Sequence, residues 1–66
     1  MIITLNGEER GVATGTTVHK LMLDAGRKPA ATVVERNGEI VDREAYTSVR
    51  LDEGDTVELV QFVGGG

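Results

Sequence analysis

Two Asn-Gly dipeptides constrain the fold of this chain more than any other feature. Asn6-Gly7 follows an alternating stretch at the N-terminus, and Asn37-Gly38 follows a β-forming run. Both residues of such a dipeptide tolerate the positive φ angles of a type I′ turn, so Asn-Gly between two strands is a strong hairpin signal. The sequence therefore predicts two β-hairpins, one over residues 1–12 and one over residues 31–41.

A helix is predicted between the two hairpins, over residues 17–25. Thr16 or Thr17 can cap its N-terminus with a hydroxyl group. Gly26 is placed for a left-handed C-cap, and Pro29 prevents the helix from resuming. The apolar residues follow the i, i+3, i+4, i+7 spacing of one buried face: Val18, Leu21, Met22 and Ala25.

A last strand is predicted over residues 56–63, after a turn at residues 52–55 and an irregular segment with a short helical turn near Tyr46. A single amphipathic helix can cover one face of a small mixed sheet of four or five strands, which gives a two-layer α+β domain. The predicted core consists of Ile3, Leu5, Val18, Leu21, Met22, Ala25, Val34, Ile40, Leu51, Val57 and Leu59.

The length and composition exclude several classes of protein. A chain of 66 residues forms one domain and has no room for a deep enzyme pocket. It has no cysteine, which excludes disulfides, thiolate metal sites and thiol nucleophiles. The net charge of −4 argues against nucleic acid; it is explained either by simple solubility or by a partner with a basic docking surface. Without a long apolar run or an N-terminal leader, we expect a cytoplasmic protein that does not bind membranes.

No set of side chains has the spacing of a catalytic or metal site. His19 is the only histidine, so neither a zinc site nor a Ser-His-Asp triad can be assembled around a second one. The acidic residues 52–55 lack the ligand spacing of a calcium loop and are typical of a turn. We therefore expect no metal and no enzyme activity of the chain itself.

The C-terminus, Gly64-Gly65-Gly66, is the one candidate for chemistry. Glycines have the widest backbone freedom and no Cβ atoms, so the α-carboxylate of Gly66 can enter a narrow channel on another protein. The alternative is a frayed terminus without function. A strongly β-forming segment leads directly into the glycines and favours presentation to a partner. We accordingly divide the chain into a folded domain, residues 1–63, and a tail, residues 64–66.

A second candidate site is the sheet face opposite the helix. Val60 and Phe62 alternate with the inward residues Val57 and Leu59, and Val33 is placed to lie beside them. Neighbouring apolar residues on an open sheet face mark a partner site, whereas isolated ones are ordinary surface residues. We predict a partner interface formed by Val33, Val60, Phe62 and Val63.

Taken in order, these segments resemble the ubiquitin-like β-grasp fold and, more closely, the ThiS family of sulfur carriers in thiamin biosynthesis. The stretches that carry the resemblance are LNG at 5–7, TTV at 16–18, VERNGEIV at 34–41, GDTVELV at 54–60 and GGG at 64–66. The resemblance covers essentially the whole chain. The middle strand departs from it, because Glu35 and Arg36 stand where more apolar residues are expected.

The resemblance implies a mechanism and a set of partners. An E1-like adenylyltransferase would use ATP to convert the carboxylate of Gly66 into an acyl-adenylate. Sulfur relayed from a cysteine desulfurase would displace AMP and leave a thiocarboxylate. The tail, with Gly64 and Gly65, would then enter a thiazole synthase and donate the sulfur. ATP would belong to the partner enzyme, and the carrier itself would bind no cofactor.

Three alternatives share some of these features. The small subunit of molybdopterin synthase has the same fold and tail, and it would form a stable complex with its catalytic subunit. A ubiquitin-like modifier would be joined to lysines of target proteins. A passive binding module would have an inert tail.

Overall fold

The computed structural model describes residues 1–62, so Val63 to Gly66 lie outside the described part of the chain. Both predicted hairpins and the predicted helix are present. The strands are β1 (Ile2–Leu5), β2 (Glu8–Gly11), β3 (Thr32–Arg36), β4 (Glu39–Ile40) and β5 (Thr56–Gln61), and the helix is α1 (Val18–Asp24). Two short 3-10 turns lie at Pro29–Ala31 and Arg43–Ala45. The second is the predicted helical turn, whereas the first was not predicted.

The five strands form one mixed sheet in the order β2-β1-β5-β3-β4. β1 and β5 pair in parallel at the centre, and the other neighbours are antiparallel. Parallel neighbours cannot be joined by a tight turn, and here the chain between them carries α1 and the second hairpin. The buried side chains of α1 pack against those of β1, β3 and β5. This is the predicted two-layer α+β architecture.

The two Asn-Gly turns have the predicted type I′ geometry. The φ angles are 48° and 83° at Asn6 and Gly7, and 53° and 85° at Asn37 and Gly38. Such turns match the right-handed twist of the strands, which sets the register of each hairpin. In that register Leu5 lies opposite Glu8, and Arg36 lies opposite Glu39.

The asparagine side chains of both turns also hydrogen-bond to the last strand. Asn6 Oδ1 accepts from the backbone N–H of Leu59 (2.8 Å), and its Nδ2 donates to the carbonyl of Leu59 (3.3 Å). Asn37 Oδ1 accepts from the N–H of Thr56 (2.9 Å). Because β1 ends at Leu5, the Asn6 amide satisfies backbone groups of β5 that no strand would otherwise pair.

Both ends of α1 are capped as the sequence predicts. Of the two candidate threonines, Thr17 is the N-cap, and its hydroxyl accepts from the N–H of Lys20 (3.1 Å). Gly26 has a φ of 72°, and the N–H of Arg27 donates to the carbonyl of Met22 (2.8 Å). This 6→1 bond is the Schellman pattern of a helix end.

The observed core differs from the predicted core at three residues. The prediction that Ile40 is buried is wrong. Ile40 is 70% exposed, because β4 has only two residues and lies at the sheet edge. Ala25 is only partly buried and packs against the margin of the core. Tyr46 is buried instead, and its hydroxyl donates to the carbonyl of Thr32 (2.8 Å). The remaining buried residues are as predicted: Ile3, Leu5, Val18, Leu21, Met22, Val34, Leu51, Val57 and Leu59.

Tyr46→Phe is expected to lower the free energy of unfolding by about 1–2 kcal/mol, because the buried carbonyl of Thr32 loses its donor. For a domain of this size that corresponds to roughly 4–16 °C in Tm. Ile40→Ala is the control and should change stability by no more than about 0.5 kcal/mol. Thermal and urea unfolding measure both. A loss of about 2 kcal/mol or more for Ile40→Ala would contradict its exposed position.

Within residues 1–62, no helix is long and apolar enough to cross a membrane.

Candidate docking face and C-terminal tail

The C-terminal segment is held to the sheet as far as Phe62. The N–H of Phe62 donates to the carbonyl of Ala31 (2.9 Å), which continues the β3–β5 pairing by one residue. Gln61 Oε1 accepts from the N–H of Lys28 (3.1 Å). The last described residues are therefore fixed from two sides. Gly64, Gly65 and Gly66, where the chemistry is predicted, lie outside the described residues, as does Val63 of the predicted interface.

The segment that binds this end of β5, residues 28–32, is itself held by two hydrogen bonds of Thr32. Thr32 is fully buried, and its hydroxyl donates to the carbonyl of Lys28 (2.6 Å). The Tyr46 hydroxyl bonds to the carbonyl of the same threonine. Sequence reasoning missed this support. The signals that could have found it are Pro29, which is suited to the start of a helical turn, and a threonine that continues the inward alternation of Val34.

Three of the four predicted interface residues are described, and the structure brings them together. Val33 of β3 lies directly opposite Val60 of β5, on the sheet face away from α1. Val60 is 55% exposed and Val33 is half-buried. Phe62, two residues further along the same alternation, is 61% exposed. We call Val33, Val60 and Phe62 the apolar patch. It adjoins the start of the predicted tail.

The turn before β5 is organised around Asp55, which is buried. One carboxylate oxygen accepts from Arg36 Nε (2.8 Å) and from the N–H of Asp52 (2.8 Å), and the other accepts from Asn37 Nδ2 (3.0 Å). Arg36 also donates to the Asp52 carboxylate (3.0 Å). The acidic residues 52–55 therefore form the turn that the sequence predicts, and these contacts hold it in place. Among residues 1–62, no three His, Asp or Glu side chains are placed to hold a metal ion.

The pKa of Asp55 is lowered by this environment. The largest single influence, burial, would raise the pKa because it disfavours the charged form. The hydrogen bonds from the Asp52 N–H, the Asn37 amide and the Arg36 guanidinium, together with the charge of Arg36, act in the opposite direction and outweigh it. Ionised Asp55 therefore stabilises the folded state.

This lowered pKa predicts how stability depends on pH. The contribution of Asp55 should be fully present above its unfolded-state pKa, about 3.9 for aspartate, and lost as the pH falls through the lower folded-state pKa. At neutral pH, Asp55→Asn should cost about 2–3 kcal/mol, because three donors lose a charged acceptor. The difference from wild type should shrink below about pH 4. Urea unfolding across a pH series measures it.

Asp42→Asn is the control for net charge, because the Asp42 carboxylate is exposed and accepts no hydrogen bond from residues 1–62. A stability difference between wild type and Asp55→Asn that grows on acidification would contradict the assignment.

Within residues 1–62, the strand order, the one α-helix across the sheet and the central position of the last strand define a class of protein. They are the features of a ubiquitin-like β-grasp domain. A crystal structure of a thiamine biosynthesis protein (ThiS) from Geobacter metallireducens superposes on this fold with a TM-score of 0.84. The two chains are 35% identical, and the match covers 100% of each.

Sequence comparison narrows the class to one family. The model of the ThiS family matches residues 3–66. The sulfur carrier protein ThiS of Bacillus subtilis (strain 168) is 36% identical over 66 residues, covering 98% of this chain and 100% of that protein. The chain therefore belongs to the ThiS family.

A longer relative contains a similar stretch. A thiazole synthase from Magnetococcus marinus is 44% identical over 66 residues, which cover 100% of this chain but 20% of that protein. The chain thus spans about a fifth of the length of this relative.

Proposed function

We propose that the chain carries sulfur as a thiocarboxylate on Gly66 and delivers it for formation of the thiazole ring of thiamin. The observation that carries this proposal is the family match, which runs to residue 66 and so includes the whole glycine tail. The relative from Bacillus subtilis, which is matched over its full length, is named as a sulfur carrier protein.

The chemistry requires a partner enzyme to activate the carboxylate. A carboxylate oxygen is a poor leaving group, so the carboxylate of Gly66 first attacks the α-phosphorus of ATP and pyrophosphate leaves. The terminal sulfur of a persulfide formed by a cysteine desulfurase then attacks the acyl carbon, and AMP leaves with one carboxylate oxygen. A thiol next cleaves the S–S bond of the resulting acyl disulfide, which supplies the two electrons and releases the thiocarboxylate. An E1-like adenylyltransferase would catalyse the first step. The chain has no cysteine, so its C-terminus is the only group on which it can carry sulfur covalently in this way.

The folded domain contributes presentation and not catalysis, so we regard the carrier as a protein co-substrate. Phe62 is fixed to β3, and four residues follow it. An extended chain advances at most about 3.6 Å per residue, so four residues can span at most about 14 Å. A partner that binds the apolar patch therefore has its active site within reach of the carboxylate.

A thiazole synthase is the proposed acceptor of the sulfur. The support is the thiazole synthase from Magnetococcus marinus, one-fifth of which corresponds to this chain. Joining two partners in one polypeptide raises their effective concentration, which is advantageous when one must repeatedly insert its end into the other. Because the cycle consumes ATP and uses a desulfurase, we place it in the cytoplasm.

The test is an intact-mass measurement on the purified chain. Incubation with the adenylyltransferase, ATP, cysteine, a desulfurase and a thiol reductant should replace one carboxylate oxygen by sulfur, and later addition of the thiazole synthase with its other substrates should reverse the change. Omission of ATP is the control. Unchanged mass in the complete mixture would contradict the proposal, whereas covalent adducts on lysines of other proteins would indicate a modifier.

A further inference from the structure

Two glutamates lie directly opposite each other beside the apolar patch. Glu35 of β3 is paired with Glu58 of β5, one row of outward-facing side chains away from the Val33–Val60 pair. Both glutamates are exposed. We call Glu35 and Glu58 the carboxylate pair. From the carboxylate pair the row continues through Val60 to Phe62, towards the tail.

The pair has no counter-charge within the described chain. Among residues 1–62, neither Glu35 nor Glu58 forms a salt bridge. The neighbouring cation, Arg36, is already bound to Asp55 and Asp52 near the turn that precedes β5. Like charges directly opposite on adjacent strands destabilise a sheet. The carboxylate pair therefore does not stabilise the isolated fold. A role in binding gives a reason for its presence.

The adjoining apolar patch defines what a partner must supply. An interface that covers Val60 also removes water from the carboxylate pair, and buried charges are costly unless a counter-charge meets them. An arginine suits the site best, because its planar guanidinium has five donors and can contact both carboxylates.

We infer that the carboxylate pair and the apolar patch form one docking surface for a protein that presents an arginine beside an apolar recess. This inference rests on the proposed function, and we assign the surface to the thiazole synthase because the relative of that name from Magnetococcus marinus contains a stretch similar to this chain. A second copy of this chain is a poor occupant, because a symmetric contact through this face would bring four carboxylates together. The net charge of −4 adds long-range attraction to a basic partner surface.

The test compares two double variants that remove the same net charge. Glu35→Gln/Glu58→Gln removes the carboxylate pair, and the control Glu8→Gln/Glu39→Gln removes two exposed carboxylates from the edge strands β2 and β4. Binding to the thiazole synthase is measured by surface plasmon resonance over a range of salt concentrations. The first variant should bind roughly 10- to 100-fold more weakly, with a flatter dependence of the association rate on salt. The control should bind within about threefold of wild type.

Thermal unfolding shows whether the loss is one of folding. Glu35→Gln/Glu58→Gln should unfold at the wild-type temperature or above it, because a repulsion has been removed. Affinity equal to that of the control variant would overturn the inference. So would a wild-type dimer in analytical ultracentrifugation that the variant abolishes, or saturable binding of Ca²⁺ or Mg²⁺ at the pair in NMR titrations.

The outcomes separate this inference from the proposed function. If wild type acquires sulfur and binds the synthase but the carboxylate variant binds equally well, only the docking surface is wrong. If wild type neither acquires sulfur nor binds the synthase, the proposed function fails and the inference fails with it.

Discussion

Deletion of Gly66 is expected to reduce sulfur acquisition by a hundredfold or more, although the new terminus at Gly65 is also a glycine carboxylate. The truncated chain is shorter by up to about 3.6 Å, and displacing a reacting group by about 1 Å can already cost on the order of a hundredfold in rate. Appending one residue after Gly66 should block the reaction completely, because it converts the carboxylate into a peptide bond.

Intact-mass spectrometry after incubation with the adenylyltransferase, ATP and the sulfur source measures the effect as a rate. Both altered chains should unfold at the wild-type temperature, because they keep the described hydrogen bonds that hold this end of the sheet, including that of the Phe62 N–H. They should also bind the thiazole synthase through the unaltered sheet face. Sulfur acquisition by either altered chain at the wild-type rate would refute a carrier mechanism at Gly66.

Val60→Asp is expected to weaken binding to the thiazole synthase by about 1–3 kcal/mol, roughly 5- to 150-fold, with little effect on folding. The new carboxylate would be desolvated in the apolar recess of the partner, and the proposed arginine beside it is already bound by Glu35 and Glu58. The site tolerates the change in the free protein because Val60 is 55% exposed. Phe62→Asp should act in the same direction, since Phe62 is also exposed and lies nearer the tail.

Leu23→Asp is the matched control, because Leu23 is 52% exposed but belongs to α1, across the sheet from the apolar patch. Calorimetric titration of each variant gives the affinity, and circular dichroism confirms the fold. If Val60→Asp and Leu23→Asp bind equally well, the apolar patch is not part of the interface. Val60→Asp tests the apolar patch, whereas Glu35→Gln/Glu58→Gln tests the carboxylate pair and leaves Val60 intact.

The local elements of this fold were predictable because their signals are local. An Asn-Gly dipeptide specifies a type I′ turn through the φ angles of two residues, and both turns form as expected. The apolar spacing of Val18, Leu21 and Met22 specifies a buried helix face without reference to the rest of the chain. Alternation in β5 likewise predicted that Val57 and Leu59 are buried and Val60 is exposed.

The candidate site was predictable only in outline. Alternation and a glycine terminus indicated an outward apolar row next to a tail, and the structure places Val33 against Val60 in that row. The pairing of Glu35 with Glu58 depends on the register between two strands that lie far apart in sequence. No local pattern contains that register.

The sequence by itself determined the turns, the helix with its caps, most of the core and the family, since each depends on neighbouring residues or on their order. Tertiary structure decided which residues meet across the chain. Ile40 is exposed because β4 has only two residues. Tyr46 is buried because its hydroxyl donates to the carbonyl of Thr32, a part of β3 that the short β4 does not reach. Asp55 is likewise buried among three donors, two from the second hairpin and one from its own turn. Burial of a polar group requires partners, and only the folded arrangement of strands can supply them.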